Sequence, residues 1–278
     1  MAKGPTSCSV ATPQGQAIGG RRENLKTIPA GTIRRRLRAY LGTDHVRHDG
    51  VLLPPKEMRP CGFELKDDRR WLESAQAEVE RLVRNCGLTS SSRLLDLGCG
   101  PGPLAIGMIK RQVVVEAYRG LDVNRGSIDW CNRYIAKNHP SFEFVHLDVL
   151  NLRYNPAGRN LERYKVIPFR NREFSIIYAY SVFSHMVERD VRIYLGEIAR
   201  LLAPKGRFFM TGFLEKGVPR TTINPVNYRK IWNGPLHCVR FEKEFFESML
   251  SRCGLALDRF EYGTETGGQS ALFIRKEA

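Results

Sequence analysis

The sequence lacks any apolar run long enough to cross a membrane, which takes about 20 residues. Its first residues also lack the continuous apolar stretch of a secretory signal. Residues 1–30 are instead rich in Gly, Pro, Ser, Thr and Gln, a composition that predicts a disordered leader. These absences argue against a membrane-spanning or secreted protein and favour a cytoplasmic one.

Paired cysteine motifs are absent as well. The seven cysteines are odd in number and scattered, and none forms a C-x-x-C pair. This distribution excludes the usual zinc-site spacings and a disulfide framework. We therefore predict a protein without a structural metal, in a reducing compartment.

Acidic residues are too few to balance the basic ones. The chain holds 44 Lys and Arg against 29 Asp and Glu, a net charge of +15. The excess is spread along the chain, and its densest run is TIRRRLRAYL at residues 32–41. Apolar residues at helical spacing there indicate a short amphipathic helix whose arginines face the solvent. Binding of the arginines to a polyanion stays open as the alternative.

Strand and helix patterns alternate from residue 93 onward, which predicts an α/β fold. We expect a Rossmann-like, doubly wound, mostly parallel sheet of seven strands that ends in an antiparallel hairpin. The predicted strands are 93–97, 113–122, 142–148, 174–180, 207–213, 257–262 and 270–275. The predicted helices are 67–86, 103–110, 125–138, 188–202 and 241–253.

The chain divides into three predicted parts: the leader 1–30, an N-terminal helical lid segment 31–88 and the α/β domain 89–278. In the lid, Leu52, Leu53, Met58 and Phe63 could form an apolar ceiling over a site, although ordinary core packing explains them equally. Two long connections, 149–173 and 214–240, follow strands at the edge where open α/β sheets bind ligands.

The stretch LLDLGCGPG at residues 94–102 carries the main functional signal. A strand that runs into glycines and then into a helix brings backbone against a cofactor. A dinucleotide site needs G-x-G-x-x-G, but Pro103 stands where the third glycine would fall. Asp96 also suits a cofactor that carries an ammonium group better than it suits a pyrophosphate.

With these residues, the sequence resembles the class I S-adenosylmethionine (SAM)-dependent methyltransferases over residues 70–278. LLDLGCGPG matches their first motif, which wraps the methionine part of SAM and places the acidic residue near its amino group. YRGLDV ends in Asp122, where the family binds the ribose hydroxyls, and VHLDV ends in Asp148, the family's partner for the adenine amino group. The resemblance implies SAM as the cofactor, with these binding residues: Asp96, Gly98, Cys99, Gly100, Gly102, Asp122, Val123, Asp148, Val149 and Ser181.

The nature of the methyl acceptor depends on the residues directly after the fourth strand. The chain lacks the Asn/Asp-Pro-Pro-aromatic motif of amino-group methyltransferases, the Pro-Cys of RNA cytosine enzymes and the acidic residue of catechol enzymes at this position. It has SVFSHM instead, which resembles a bacterial small-molecule branch that includes sugar O-methyltransferases. We predict His185 as the general base, with a helix-capping or packing role as the alternative.

These patterns predict methyl transfer to a hydroxyl of a sugar or natural product. Six Lys and Arg in 149–173, among them Arg159 and Arg163, indicate an acceptor with an anionic substituent. Two other functions stay open: methylation of RNA or protein, which only the net charge favours, and a SAM-type fold that transfers no methyl group.

Overall fold

The computed structural model describes Met1 and residues 44–59, 62–161 and 167–277. The predicted leader and the arginine-rich helix at 32–41 lie outside the described residues. None of the described helices is long and apolar enough to cross a membrane.

A central sheet organises the described chain. Its seven main strands are β3 (Arg93–Leu97), β4 (Ala117–Asp122), β5 (Phe142–His146), β6 (Phe174–Ala179), β7 (Leu202–Glu215), β10 (Leu255–Glu265) and β11 (Gln269–Lys276). They run in the order β5-β4-β3-β6-β7-β11-β10, in which β3 to β7 are parallel and β10 and β11 form an antiparallel pair beside β7. The Rossmann-like fold with its C-terminal hairpin is thereby confirmed.

Helices cover both faces of this sheet, as expected for a doubly wound fold. They are α1 (Asp68–Cys86), α2 (Pro103–Lys110), α3 (Arg125–Tyr134), α4 (Glu188–Leu201) and α5 (Lys243–Ser251). Buried residues of α1, α2 and α3 share one hydrophobic cluster with the sheet, and those of α4 and α5 share the other. The chain order reverses beside β3, so the switch point that opens a ligand crevice lies at the carboxyl ends of β3, β4 and β6.

The segment before α1 differs from the predicted helical lid. It contains the antiparallel hairpin of β1 (Val46–His48) and β2 (Val51–Leu53). Asp49 and Gly50 connect the strands with φ of 47° and 81°. An Asp-Gly pair favours such a tight hairpin turn because both residues tolerate positive φ. The helical prediction for this segment was therefore wrong between residues 46 and 53.

A buried arginine fastens the next segment to α1. The Arg59 guanidinium donates two hydrogen bonds to the carbonyl of Pro54, at 3.1 and 3.0 Å, and forms a 2.8 Å ion pair with Asp68. It also lies over the Trp71 ring, 5.3 Å from its centre. Only 1% of Arg59 is exposed. The wall built by residues 54–59 is thus bound to the first turns of α1.

The observed bounds of other strands and helices differ from the predicted ones by a few residues. The predicted strand 113–122 begins only at Ala117, because Gln112 takes a left-handed φ of 54° and the chain pairs with β3 later. α3 ends at Tyr134 and a 3₁₀ turn at 136–138 follows it. The loop 214–240 contains two strands that were not predicted, β8 (Thr221–Ile223) and β9 (Val239–Glu242), and β9 extends the sheet beside the end of β7.

Candidate active site

A cavity of about 330 Å³ opens at the carboxyl ends of the parallel strands. Its volume is typical of small-molecule and cofactor sites. The cavity is lined by the glycine loop after β3, the end of β4, the loops after β5 and β6, one face of α1 and part of 213–240. It lies where the strand order predicts a ligand crevice.

The three glycines of the loop differ in the space around them and in their structural roles. Gly98 has φ of 76°, and a Cβ there would lie 2.4 Å from a methyl group of Val182. Gly100 also has positive φ, at 50°, but open space in front of it. Gly102 precedes α2 and packs against Ile135 and Cys131, where a Cβ would approach within 2.8 and 3.2 Å. Gly98 and Gly100 line the cavity, whereas Gly102 packs where the loop joins the helix, so its cofactor contact stays a prediction.

The neighbouring strand holds this loop in place. The Gly98 and Cys99 amides donate to the Leu121 carbonyl at 2.7 and 3.0 Å. The Gly100 amide donates to the Asp122 carboxylate at 2.7 Å. A buried environment raises the pKa of Asp122, and hydrogen bonds from Asn124 and Gly100 oppose that rise. Asp122, Cys99 and Val123 all line the cavity, as the sequence predicts for cofactor-binding residues.

Asp96 lies deeper, and 3% of it is exposed. The Tyr118 hydroxyl donates a hydrogen bond of 2.5 Å to its carboxylate. Burial raises the pKa of Asp96 to about 7, and the nearby Asp122 carboxylate adds to the rise. Asp96 lines the cavity beside Glu78 of α1, a residue that sequence reasoning missed.

Asp148 does not line the cavity. Its carboxylate accepts a hydrogen bond from Asn155 at 3.2 Å and lies 3.4 Å from the Arg159 guanidinium, on the exposed side of the loop. The adenine contact of Asp148 stays a prediction, and in this structure its carboxylate pairs with Asn155 and Arg159. Leu147, Val149 and Leu150 line the cavity at this point, so Val149 lies where it was predicted.

Ser181 lines the cavity directly after β6 and has a left-handed φ of 57°. Its amide donates to the Thr211 hydroxyl at 2.8 Å. Its hydroxyl accepts from Gln269 at 2.8 Å and lies 3.2 Å from the Ser184 hydroxyl. The surrounding strands thus hold a backbone conformation that a serine alone disfavours.

His185 also lines the cavity, in a short 3₁₀ turn at 183–185. Its Nδ1 lies 2.9 Å from the Leu236 carbonyl, so Nδ1 carries the proton and Nε2 keeps the lone pair. Burial lowers the pKa of His185 to about 4. The imidazole is therefore neutral at physiological pH, as a general base must be.

Two loops add residues that the sequence analysis did not single out. Arg153, Lys230, Trp232 and His237 all line the cavity near His185. Lys230 lies over the Trp232 ring at 4.6 Å, and the Trp232 and His237 rings meet at 5.2 Å. The signal that pointed to them was the length of the two loops. Arg159, by contrast, is 86% exposed and pairs with Asp148, and Arg163 lies outside the described residues.

The four residues of the predicted apolar ceiling do not all lie at the cavity. Met58 lines the cavity together with Leu65 and Trp71. Leu53 has no exposed surface and belongs to the core cluster of α1 and α2, so its role is packing. Leu52 does not line the cavity, and the Phe63 side chain lies outside the described part of the chain.

A family model described as a methyltransferase domain matches residues 68–259, more than half of the chain. The chain belongs to this methyltransferase family. Its cofactor is SAM. The matched range includes α1, the glycine loop and the ends of β3, β4 and β6 that line the cavity, whereas Thr266, Gly267 and Gln269 of the lining lie after it.

Two curated relatives are enzymes of natural-product chemistry by name. Phthiotriol/phenolphthiotriol dimycocerosates methyltransferase 1 of Mycobacterium ulcerans (strain Agy99) is 30% identical over 122 residues, 44% of this chain and 38% of that protein. 27-O-demethylrifamycin SV methyltransferase of Amycolatopsis mediterranei (strain S699) is 27% identical over 151 residues, 53% and 48% of the two chains. The chain thus spans less than half the length of these relatives.

Among solved structures, magnesium protoporphyrin IX methyltransferase of Synechocystis PCC 6803 with bound SAH has a TM-score of 0.53. It is 16% identical and is aligned over 89% of this chain and 100% of its own. This likeness concerns the fold.

The residues present fit SAM. Glycines with positive φ leave backbone without side chains at the cavity, Asp122 offers a carboxylate for the ribose hydroxyls, and apolar Val149 and Leu150 suit a flat ring. When bound, SAM supplies a methyl group on a sulfonium centre that is already activated for displacement. Among the described residues, no cluster of three or more His, Cys, Asp or Glu is arranged to hold a metal ion.

Proposed function

We propose that this methyltransferase transfers the methyl group of SAM to a hydroxyl of a small molecule, a sugar or natural product, and that His185 is the general base. The single observation that supports it most is the position of His185. The imidazole lines the cavity, is fixed by Leu236 through Nδ1, and remains neutral because its pKa is about 4.

A base of low pKa suits this reaction. As the new carbon–oxygen bond forms, the acceptor oxygen gains positive charge and its proton becomes strongly acidic. A weakly basic Nε2 then suffices to take the proton. The Tyr154 ring packs edge-on against the His185 ring, with 5.5 Å between the ring centres, and the Asn151 amide donates to the His185 carbonyl; these two contacts hold the turn in place.

The acceptor is proposed to carry an anionic group near the same end of the cavity. Arg153 and Lys230 line the cavity, and neither forms an ion pair with a carboxylate of the described residues. Both act on one neighbour, since burial lowers the pKa of His237 and the charges of Arg153 and Lys230 lower it further. The Arg153 guanidinium also lies 3.9 Å from the position that a Cβ on Gly234 would take. The loop after β5 and the loop 214–240 are therefore close together at this point. Unpaired cations around one point favour a carboxylate, phosphate or sulfate.

The test is product identification. Purified protein and labelled SAM are incubated with fractionated small-molecule extracts, with RNA and with protein, and the labelled product is analysed by mass spectrometry and NMR. An O-methyl ether on a small molecule supports the proposal. An N- or C-methyl product would remove the hydroxyl assignment, and label confined to RNA or protein would remove the small-molecule one. The enzyme is proposed to work in the cytoplasm, where its unpaired thiols stay reduced.

A further inference from the structure

Two acidic side chains of the cavity, Glu78 and Asp96, are not used in the proposed proton transfer or in binding the acceptor. α1 presents Trp71, Ser74 and Glu78 to the cavity, at a spacing that places them on one helix face. Asp96, at the end of β3, lines the same cavity. Glu78 is therefore a carboxyl group that α1 brings to the methionine side of the glycine loop.

The cluster is short of positive charge. Arg81, one turn along α1, lowers the pKa of Glu78, but Arg81 already forms a 2.9 Å ion pair with Glu265. Glu78 and Glu265 thus share one guanidinium group, and Asp96 adds a further negative charge beside Glu78. Burial, with Asp96 as the next contribution, raises the pKa of Glu78 to about 8. In the free protein, protons occupy part of this cluster near pH 7.

An unused hydroxyl lies in the same place. The buried Tyr178 hydroxyl has no hydrogen bond of normal geometry with the described residues, although it is close enough to Glu78 to oppose the rise in that carboxyl group's pKa. Tyr178 also lines the cavity. The hydroxyl oxygen can accept a hydrogen bond, so it suits a ligand that brings N–H donors to this part of the cavity.

We propose that Glu78 is a cofactor-recognition residue that binds the α-ammonium group of SAM together with Asp96. A cation beside the two carboxyl groups removes the charge deficit and takes the place of their protons. The inference requires SAM binding but not the hydroxyl acceptor, so it can fail or hold independently of the proposed function.

Protons should therefore leave when the cofactor binds. The cation favours the ionised carboxylates, whose pKa values in the free protein are about 8 and 7. Affinity should rise from pH 6 to pH 8 and then level off. The groups that face Glu78 in this titration are Asp96 of β3, Tyr178 of β6, Tyr180 directly after β6, and Arg81 and Glu265.

Two ligands isolate the amino acid tail, which carries the ammonium group and a carboxylate. S-adenosylhomocysteine carries the amino acid tail, and 5′-methylthioadenosine has the same nucleoside without it. Calorimetry at pH 8 on Glu78→Gln should show about 10- to 100-fold weaker binding of the first ligand and an unchanged affinity for the second. Glu73→Gln on the same helix, with its side chain 60% exposed, is the matched control and should change neither.

The proton release gives a second readout. Wild-type binding of S-adenosylhomocysteine at pH 7, measured in buffers of different ionisation enthalpy, should release more protons than Glu78→Gln does. If Glu78→Gln does not fold, Glu78→Asp keeps the charge and should retain most of the preference for the ligand with the tail. Equal losses for both ligands, no loss, or tighter binding in Glu78→Gln would each overturn the proposal, the last by placing Glu78 beside the cofactor's carboxylate.

Discussion

The Asp122 carboxylate has a structural role in the glycine loop and a predicted role in binding the cofactor. It lines the cavity and accepts the Gly100 amide, so it is both a predicted ribose ligand and a support of the loop. We expect Asp122→Ala to weaken binding of S-adenosylhomocysteine by about 1.5 to 3 kcal/mol, because a charged hydrogen-bond partner is lost. Isothermal titration calorimetry measures this. Asp122→Asn keeps one acceptor oxygen and should lose less, and unchanged affinity in a folded Asp122→Ala protein would contradict the assignment.

His185 governs a different property, the pH dependence of turnover. His185→Gln should lower kcat about 10²- to 10⁴-fold and leave the affinity for S-adenosylhomocysteine unchanged. An ordinary imidazole would begin to lose activity below about pH 6.5. Since the folded pKa is about 4 and the base works unprotonated, kcat at saturating SAM should stay level down to about pH 5 and fall toward pH 4.

Steady-state kinetics across this range, with circular dichroism to verify folding at each pH, tests the assignment. His139→Gln is a suitable control, because His139 lies outside the cavity lining. A His185→Gln enzyme that keeps a third of the wild-type kcat would point to transfer by alignment alone.

At the level of elements, two loops build the acceptor end. Arg153 lies in the loop after β5 and Lys230 in the loop between β8 and β9. The double variant Arg153→Gln, Lys230→Gln should raise the KM for an anionic acceptor about tenfold, because two favourable charge contacts are lost. The affinity for SAM should not change. Arg159→Gln is the control, and equal KM values in all three proteins would show that these cations are merely solvated.

The wall before α1 depends on Arg59. Arg59→Met should lower the free energy of unfolding by about 2 to 3 kcal/mol, since Asp68 and the Pro54 carbonyl lose a buried partner. Urea denaturation followed by circular dichroism measures it. Arg69→Met, an exposed position on the same helix, should stay within about 0.5 kcal/mol of wild type. If the two variants are equally stable, the buried arginine has no net effect.

Elements with a long apolar pattern could be predicted from the sequence, and elements made by pairing could not. α2 lies at its predicted residues because Pro103 and Gly102 mark its start, and α1 was placed to within one residue by Asp67 and Gly87. β8 and β9 are three and four residues long and depend on pairing beside β7, which leaves no periodic signal.

The same limit applies to the site. Gly98, Gly100, Asp122 and His185 come from short segments whose order along the chain fixes their place at the sheet edge. Glu78 could not be predicted, because its facing partners are at residues 96, 178 and 265 and only the packing of α1 on the sheet brings them together. The surroundings of Asp148 could not be predicted either, because Asn155 and Arg159 reach its carboxylate only through the fold of the loop after β5.

At the scale of the whole molecule, the net charge of +15 raises the question of a polyanionic substrate. A nucleic-acid enzyme that makes 6 to 10 phosphate contacts loses about 10³- to 10⁵-fold in affinity between 50 and 200 mM salt. A small acceptor with one anionic group should lose less than about tenfold in kcat/KM over the same range. Steady-state kinetics at several salt concentrations distinguishes the two, and a steep slope would favour an RNA substrate.

The hydrogen bonds that join the glycine loop to β4 also shape the thermodynamics of cofactor capture. Leu121 and Asp122 accept the hydrogen bonds of the amides of residues 98–100, so groups of the protein itself fix this backbone. The loop therefore does not have to become ordered when SAM arrives, and little backbone entropy is lost on binding. SAM can then associate at a rate close to that expected for a rigid, open cleft. The rate of turnover is then set by the exchange of acceptor and product at the loops that carry Arg153 and Lys230.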